Sequence, residues 1–228
     1  MKSSFLQYKI TYTLIVLNIL GYILTSFYSQ NIIDMDIEVL VHMGAIYGPT
    51  VVLYEEWWRL ITAMFLHGGM THLLMNMFSL YLIGRGVEQY FDTKSYLSLY
   101  FVSGIVGSLV SIVMHPVSIG VGASGAIFGI FAAMAGFFMA HREQIEEHTK
   151  GFMKSFGLII GLNLVIGFFI PAVDVSAHVG GLVAGFIGGY MISRNLKWFM
   201  IYNIVMIIMM LMIAYYLTGQ YVKPTLFS

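Results

Sequence analysis

A chain of 228 residues that is 59% hydrophobic and only 10% charged, with a mean hydropathy of +0.84, cannot cover a water-facing surface; soluble domains carry about 25% charged residues. It reads as an all-α polytopic membrane protein, a single membrane domain over residues 1–228. The absence of cysteine excludes a disulfide framework, a thiolate nucleophile and a zinc–thiolate site. Zero formal net charge gives a nucleic-acid partner no electrostatic support.

A membrane span needs roughly 20 mostly apolar residues. In chain order the candidates are 10–27, 70–90, 96–114, 124–140, 152–170, 177–193 and 198–217. The first follows a basic start and lacks a small-residue cleavage site, so it reads as a retained span rather than a signal peptide. Pro49, Pro116, Pro171 and Pro224 all fall outside these runs, as helix sterics demand. The longest connection, 28–69, mixes Asp34, Asp36, Glu38, Glu55 and Glu56 with Trp57 and Trp58. That mixture predicts a folded loop in the membrane interface. No internal repeat is visible, which disfavours a transporter.

The eleven Lys and Arg residues set an expected orientation. With the N-terminus cytoplasmic, Lys2, Lys9, Arg85, Lys94, Arg142, Lys150, Lys154, Arg194 and Lys197 lie inside and only Arg59 and Lys223 outside. This is a clear positive-inside bias. The second, fourth and sixth spans then begin at the outer face.

Those three beginnings hold the polar residues of interest. The second span opens with "THLLMNM", carrying His72 and Asn76. The fourth opens with "GASGAIFG", carrying Ser124, and the sixth with "SAHVGG", carrying His178. Ionisable groups inside spans are functional candidates by default. Ser124 to Arg142 is 18 residues, about 27 Å of helix, and His178 to Arg194 is 16 residues, about 24 Å. Against a hydrocarbon core roughly 30 Å thick, Ser124 and His178 should sit at similar, slightly sunken depths. Gly125 and Gly129 on the fourth span, and Gly181, Gly185 and Gly189 on the sixth, recur every fourth residue. Such small stripes let membrane helices pack backbone to backbone. Packed together, they would bring a hydroxyl to an imidazole able to take its proton, which serine needs to become a nucleophile. His72 and Asn76, at i and i+4, share one face. With the Ser124 amide at a helix start, they are candidate donors to an oxyanion.

Taken together these residues resemble the rhomboid family of intramembrane serine proteases. The match runs over about 10–193: "WR" at Trp58–Arg59, "HGGMTHLLMN" at His67–Asn76, "GASG" at Gly122–Gly125 and "AHVGG" at Ala177–Gly181. GxSG alone is a weak signal, since it also marks unrelated hydrolases; the ordered set is specific. The resemblance implies a six-helix bundle with 198–217 as an added seventh helix. It implies a Ser–His dyad, with Ser124 as nucleophile and His178 as general base and acid. His72, Asn76 and the Ser124 amide would form the oxyanion hole. Gly122 would keep the preceding turn open, and Phe128 would stack on His178 where some members have tyrosine. Gly181 is a packing residue, and Trp58 and Arg59 are structural in the first outer loop. Implied substrates are single-pass or other membrane proteins, cleaved within the bilayer at the outer side of a plasma membrane of bacterial type, with no cofactor and no metal.

The same residues admit other meanings. Ser124 could be only an N-cap, His178 an interfacial histidine bonded to a carbonyl, and Asn76 helix–helix glue. Asp174, four residues before His178, invites a triad, but capping the start of the sixth span is the favoured reading, since Asp and Ser176 both suit that position. His67 and His72 lack the H-E-x-x-H zinc pattern, and His67 is expected to support the loop. Arg85 and Glu88 are expected to pair. The functional alternative is an inactive relative that binds and escorts membrane clients, although such proteins usually lack the serine or histidine present here.

Overall fold

The computed structural model describes residues 7–144 and 173–225, with isolated positions between 157 and 169. The expected fifth span, 152–170, therefore lies outside the described residues apart from those positions. Helix α1 spans Lys9–Ser29. Its cap residue, Tyr8, offers no side-chain acceptor, so Glu88 supplies one from across the bundle. The Glu88 carboxylate accepts from the Ile10 amide at 2.8 Å, the Thr11 amide at 2.9 Å and the Thr11 hydroxyl at 2.7 Å. The expected Arg85–Glu88 pair does not form. Arg85 instead lies over the rings of Tyr8 and Tyr81, 4.7 Å from each centroid, because the helix-start amides hold the carboxylate.

The connection after α1 is folded, as its composition predicts. It holds α2 (Ile37–His42), β1 (Ile46–Tyr47), α3 (Gly48–Leu53), α4 (Arg59–Thr62) and a 3-10 turn (Ala63–Phe65). The Asp36 side chain caps α2, and Pro49 opens α3, where a missing N–H costs nothing. Arg59, 6% exposed, clamps the loop: it donates to the carbonyls of Val41 at 2.5 Å and Ala45 at 3.0 Å and pairs with Glu56 at 2.6 Å.

The bundle continues with α5 (Met70–Tyr90), α6 (Thr93–Met114), β2 (Ile119–Gly120), α7 (Ser124–Ala140), α8 (Val175–Arg194) and α9 (Trp198–Thr225). Among the described helices, α1, α6, α8 and α9 are long and apolar enough to cross a membrane, and α7 is a shorter apolar helix. The two short strands pair antiparallel, Ile46 opposite Gly120 and Tyr47 opposite Ile119. Hydropathy does not forecast this pairing, since each strand is only two residues long.

Helix α8 is packed between α7 and α6. Its glycine stripe makes this possible. The carbonyls of Gly125, Gly129 and Ala133 on α7 fill the spaces where side chains at Gly181, Gly185 and Gly189 would stand. Opposite, Gly180 faces Gly107 and Val110 of α6. Helix α5 covers α7 and α1 covers α5. The core holds Leu80, Tyr96, Leu99, Tyr100 and Ile130, all fully buried.

Candidate active site

The turn before α7 sets the serine in place. Gly122 has φ +122°, a left-handed conformation open to glycine, and its amide donates to the Ala63 carbonyl at 2.9 Å. A side chain there would also strike the His72 ring, whose Nε2 and Cε1 lie under 3 Å from the position of a Cβ. Ala123 occupies the cap position with no side-chain cap bond. Ser124 is thus the first helical residue rather than the cap, and its hydroxyl is free for other use. Its amide is among the helix-start N–H groups that lack an intrahelical acceptor.

That hydroxyl meets His178. The distance between His178 Nε2 and Ser124 Oγ is 2.8 Å, although 54 residues separate them in sequence. Phe128, one turn below Ser124, stacks on the imidazole with centroids 4.2 Å apart and planes 17° from parallel. Stacked and 7% exposed, the ring has little freedom to turn. Its other nitrogen, Nδ1, is buried without a hydrogen-bond partner among the described residues.

Asp174 does not bond to Nδ1. Its carboxylate caps α8, accepting from the Ala177 amide at 3.0 Å and the Ser176 hydroxyl at 2.5 Å, and it also accepts from the Ser111 hydroxyl on α6. Burial pushes this carboxyl up, but the donors from Ser111, Ser176 and the Ala177 amide, with His115 nearby, hold it below its ordinary value. Ser111 is absent from the sequence-based set. It lies 63 residues upstream of Asp174, and only the packing of α6 on α8 gives it meaning.

His72 and Asn76 stand one turn apart on α5, and both face Gly122. The Asn76 carboxamide nitrogen donates to the His72 carbonyl at 3.0 Å and lies 3.9 Å from the Gly122 Cβ position. Ser124 and His72 are half-buried, while Asn76 and His178 are buried. His67 is fully buried edge-on to His72, with centroids 5.1 Å apart. Burial first, and His72 second, push its imidazole down to about 3, so it is neutral at ordinary pH. Among the described residues no group of three or more His, Asp or Glu side chains could hold a metal ion.

The arrangement can do one kind of chemistry well. A hydroxyl lies 2.8 Å from an imidazole nitrogen, that imidazole is stacked on an aromatic ring, and His72 and Asn76 lie against the turn just before the hydroxyl. A hydroxyl and an imidazole so placed suit nucleophilic chemistry, and nearby donors suit a developing negative charge.

Comparison with known proteins gives the same direction. The Rhomboid domain family model matches residues 54–195. RHOMBOID-like protein 6, mitochondrial, of Arabidopsis thaliana is 41% identical over 153 residues, 67% of this chain and 49% of that protein. Rhomboid protease GluP of Bacillus subtilis (strain 168) is 36% identical over 180 residues, 77% of this chain and 33% of that one. Rhomboid-like protease 3 of Toxoplasma gondii is 32% identical over 176 residues, 77% of this chain and 65% of its own length. The chain spans a third to two thirds of the length of these relatives. The matched region runs from the Arg59 loop through Ser124 and His178 to the end of α8, and the chain, a multi-pass integral membrane protein, belongs to the rhomboid family.

Proposed function

We propose that this protein is an intramembrane serine endopeptidase that cleaves other membrane proteins by a Ser124–His178 dyad. The observation that carries the proposal is the 2.8 Å contact between Ser124 Oγ and His178 Nε2. The relatives named as rhomboid proteases support it.

In this reading Ser124 Oγ attacks a substrate carbonyl while His178 Nε2 takes the hydroxyl proton. Negative charge collects on the carbonyl oxygen, where the Ser124 amide, His72 and Asn76 donate. His178 then gives its proton to the departing amine as the peptide C–N bond breaks. A water, deprotonated by the same nitrogen, attacks the acyl-serine and regenerates the hydroxyl. Each step is carried by side chains of this chain and water. A substrate span hides its carbonyls in helical hydrogen bonds, so it must unwind locally before attack. Single-pass proteins with small residues near one end of the span meet that need most easily. The Lys and Arg distribution supports an orientation with the N-terminus cytoplasmic and Ser124 near the outer face.

The test is labelling of detergent-solubilised or liposome-embedded protein with a fluorophosphonate probe. Labelling of the wild type that disappears in Ser124→Ala is the expected result. A folded, monodisperse wild type that neither labels nor cleaves a panel of single-pass substrates would point instead to a client-binding, inactive relative.

A further inference from the structure

We propose that α9 does more than anchor the C-terminal part of the chain: it sets the position of the loop that presents Ser124, with Tyr221 as the positioning residue. This rests on the reading of Ser124 as nucleophile.

Helix α9 has 28 residues, about 42 Å at 1.5 Å per residue, against a hydrocarbon thickness of roughly 30 Å. Its last turns exceed what an anchor needs, and they are the turns that bind the loops. Tyr221 Oη donates to the Pro116 carbonyl at 2.7 Å. Pro116 lies just past the end of α6, three residues before β2, so this carbonyl has no helical partner of its own. From there the chain enters β2, pairs with β1, and reaches Gly122 and Ser124.

A second route converges on the same turn. Leu217, one turn before Tyr221, is 2% exposed in an apolar cluster with Ile46, Ala63, Leu109 and Ile112. Ala63 is the residue whose carbonyl receives the Gly122 amide. The end of α9 therefore bears on both supports of the Gly122 turn: on the β2 lead-in through the Tyr221 bond, and on the Ala63 support through the apolar cluster that Leu217 and Ala63 share. Gly48, which follows β1, leaves room for this meeting. A Cβ there would collide with Tyr221 Oη and the Pro116 carbonyl at once. The phenol, the proline carbonyl and the exit of β1 thus share one tightly filled point.

Removing only the phenol hydroxyl isolates the claim. In the full chain, Tyr221→Phe keeps the ring and its packing and breaks the bond to Pro116. Amide hydrogen exchange over residues 117–122 should quicken, with exchange in the interior of α7 and α8 unchanged. Fluorophosphonate labelling of Ser124 and kcat should fall about 3- to 10-fold, the size of one net hydrogen bond, with KM nearly constant. Unchanged exchange over 117–122 overturns the proposal whatever the activity does. Faster exchange with unchanged labelling and kcat overturns it too, because the loop's position would then not serve the serine. If the wild type itself fails to label, the hydrolase reading falls separately, and the exchange comparison alone decides whether α9 sets the loop.

Discussion

The carbonyl oxygen of Gly125 on α7 occupies the space that a side chain on Gly181 of α8 would need. The same relation repeats one turn on, between Gly129 and Gly185. Ser124 and His178 stand directly before this seam, so their separation is fixed by how closely two backbones approach. Gly181→Ala puts a methyl against a backbone carbonyl, which cannot rotate away. The expected cost is about 1–3 kcal/mol of stability, in line with overpacking elsewhere. Labelling of Ser124 should also fall more than about tenfold, since a 1 Å misplacement of reacting groups can cost roughly 10²-fold. Thermal unfolding in detergent and the labelling rate check the two effects. A variant with wild-type rate would show that the seam does not set the dyad.

Asp174 and His178 should separate cleanly. Asp174→Asn keeps an acceptor for the Ala177 amide, so stability should change little. Asp174→Ala loses the cap and should cost on the order of 1 kcal/mol. In both, kcat/KM should stay within about tenfold of wild type, whereas losing the orienting aspartate of a triad costs about 10⁴ in kcat. His178→Ala should remove essentially all turnover. Cleavage assays on these three variants decide the matter, and a loss in Asp174→Asn approaching that of His178→Ala would restore the triad.

Asn76 and His72 are expected to act on kcat. Asn76→Ala and His72→Ala should each lower kcat by about 10²–10³ with modest effect on KM, as removal of an oxyanion donor does. Asn76→Asp, which keeps the shape and loses donors, should be no better than alanine. If Asn76 is only an intrahelical bond to the His72 carbonyl, kcat will stay near wild type.

His67 gives a pH signature for stability. Its imidazole is held at about 3 in the folded protein against an ordinary 6.5. The unfolded chain therefore takes up this proton first as pH falls. The His67 contribution is complete above about 6.5 and is lost progressively as pH drops toward 3, through the linkage of proton binding to folding. Melting temperature should decline across that window, and His67→Gln should flatten the decline. An identical pH dependence in the variant would show that His67 stays neutral in both states or is solvated.

Much of this molecule could be read in one dimension. The long helices stand close to the apolar runs because a bilayer demands lengths and compositions that leave a direct trace in sequence. The Asp174 cap obeys local chemistry and involves an amide three residues away. Local reasoning failed for Arg85 and Glu88, whose partners include residues of another segment. Glu88 and Arg85, three residues apart, looked like a pair. Instead one caps α1 and the other rests on Tyr8 and Tyr81.

Sequence alone therefore determined the membrane character, the long described helices, and which hydroxyl, imidazoles and carboxamide share one end of the bundle, since periodicity and composition act along the chain. The expected meeting of Ser124 with His178 and of Phe128 with the imidazole took its distances from tertiary structure, and tertiary structure alone turned Asp174 to Ser111 and set Tyr221 on the Pro116 carbonyl. Such contacts depend on ångström-scale approach between segments tens of residues apart. That approach is set by which glycines admit a neighbouring backbone, and a glycine's neighbours exist only once the chain has folded.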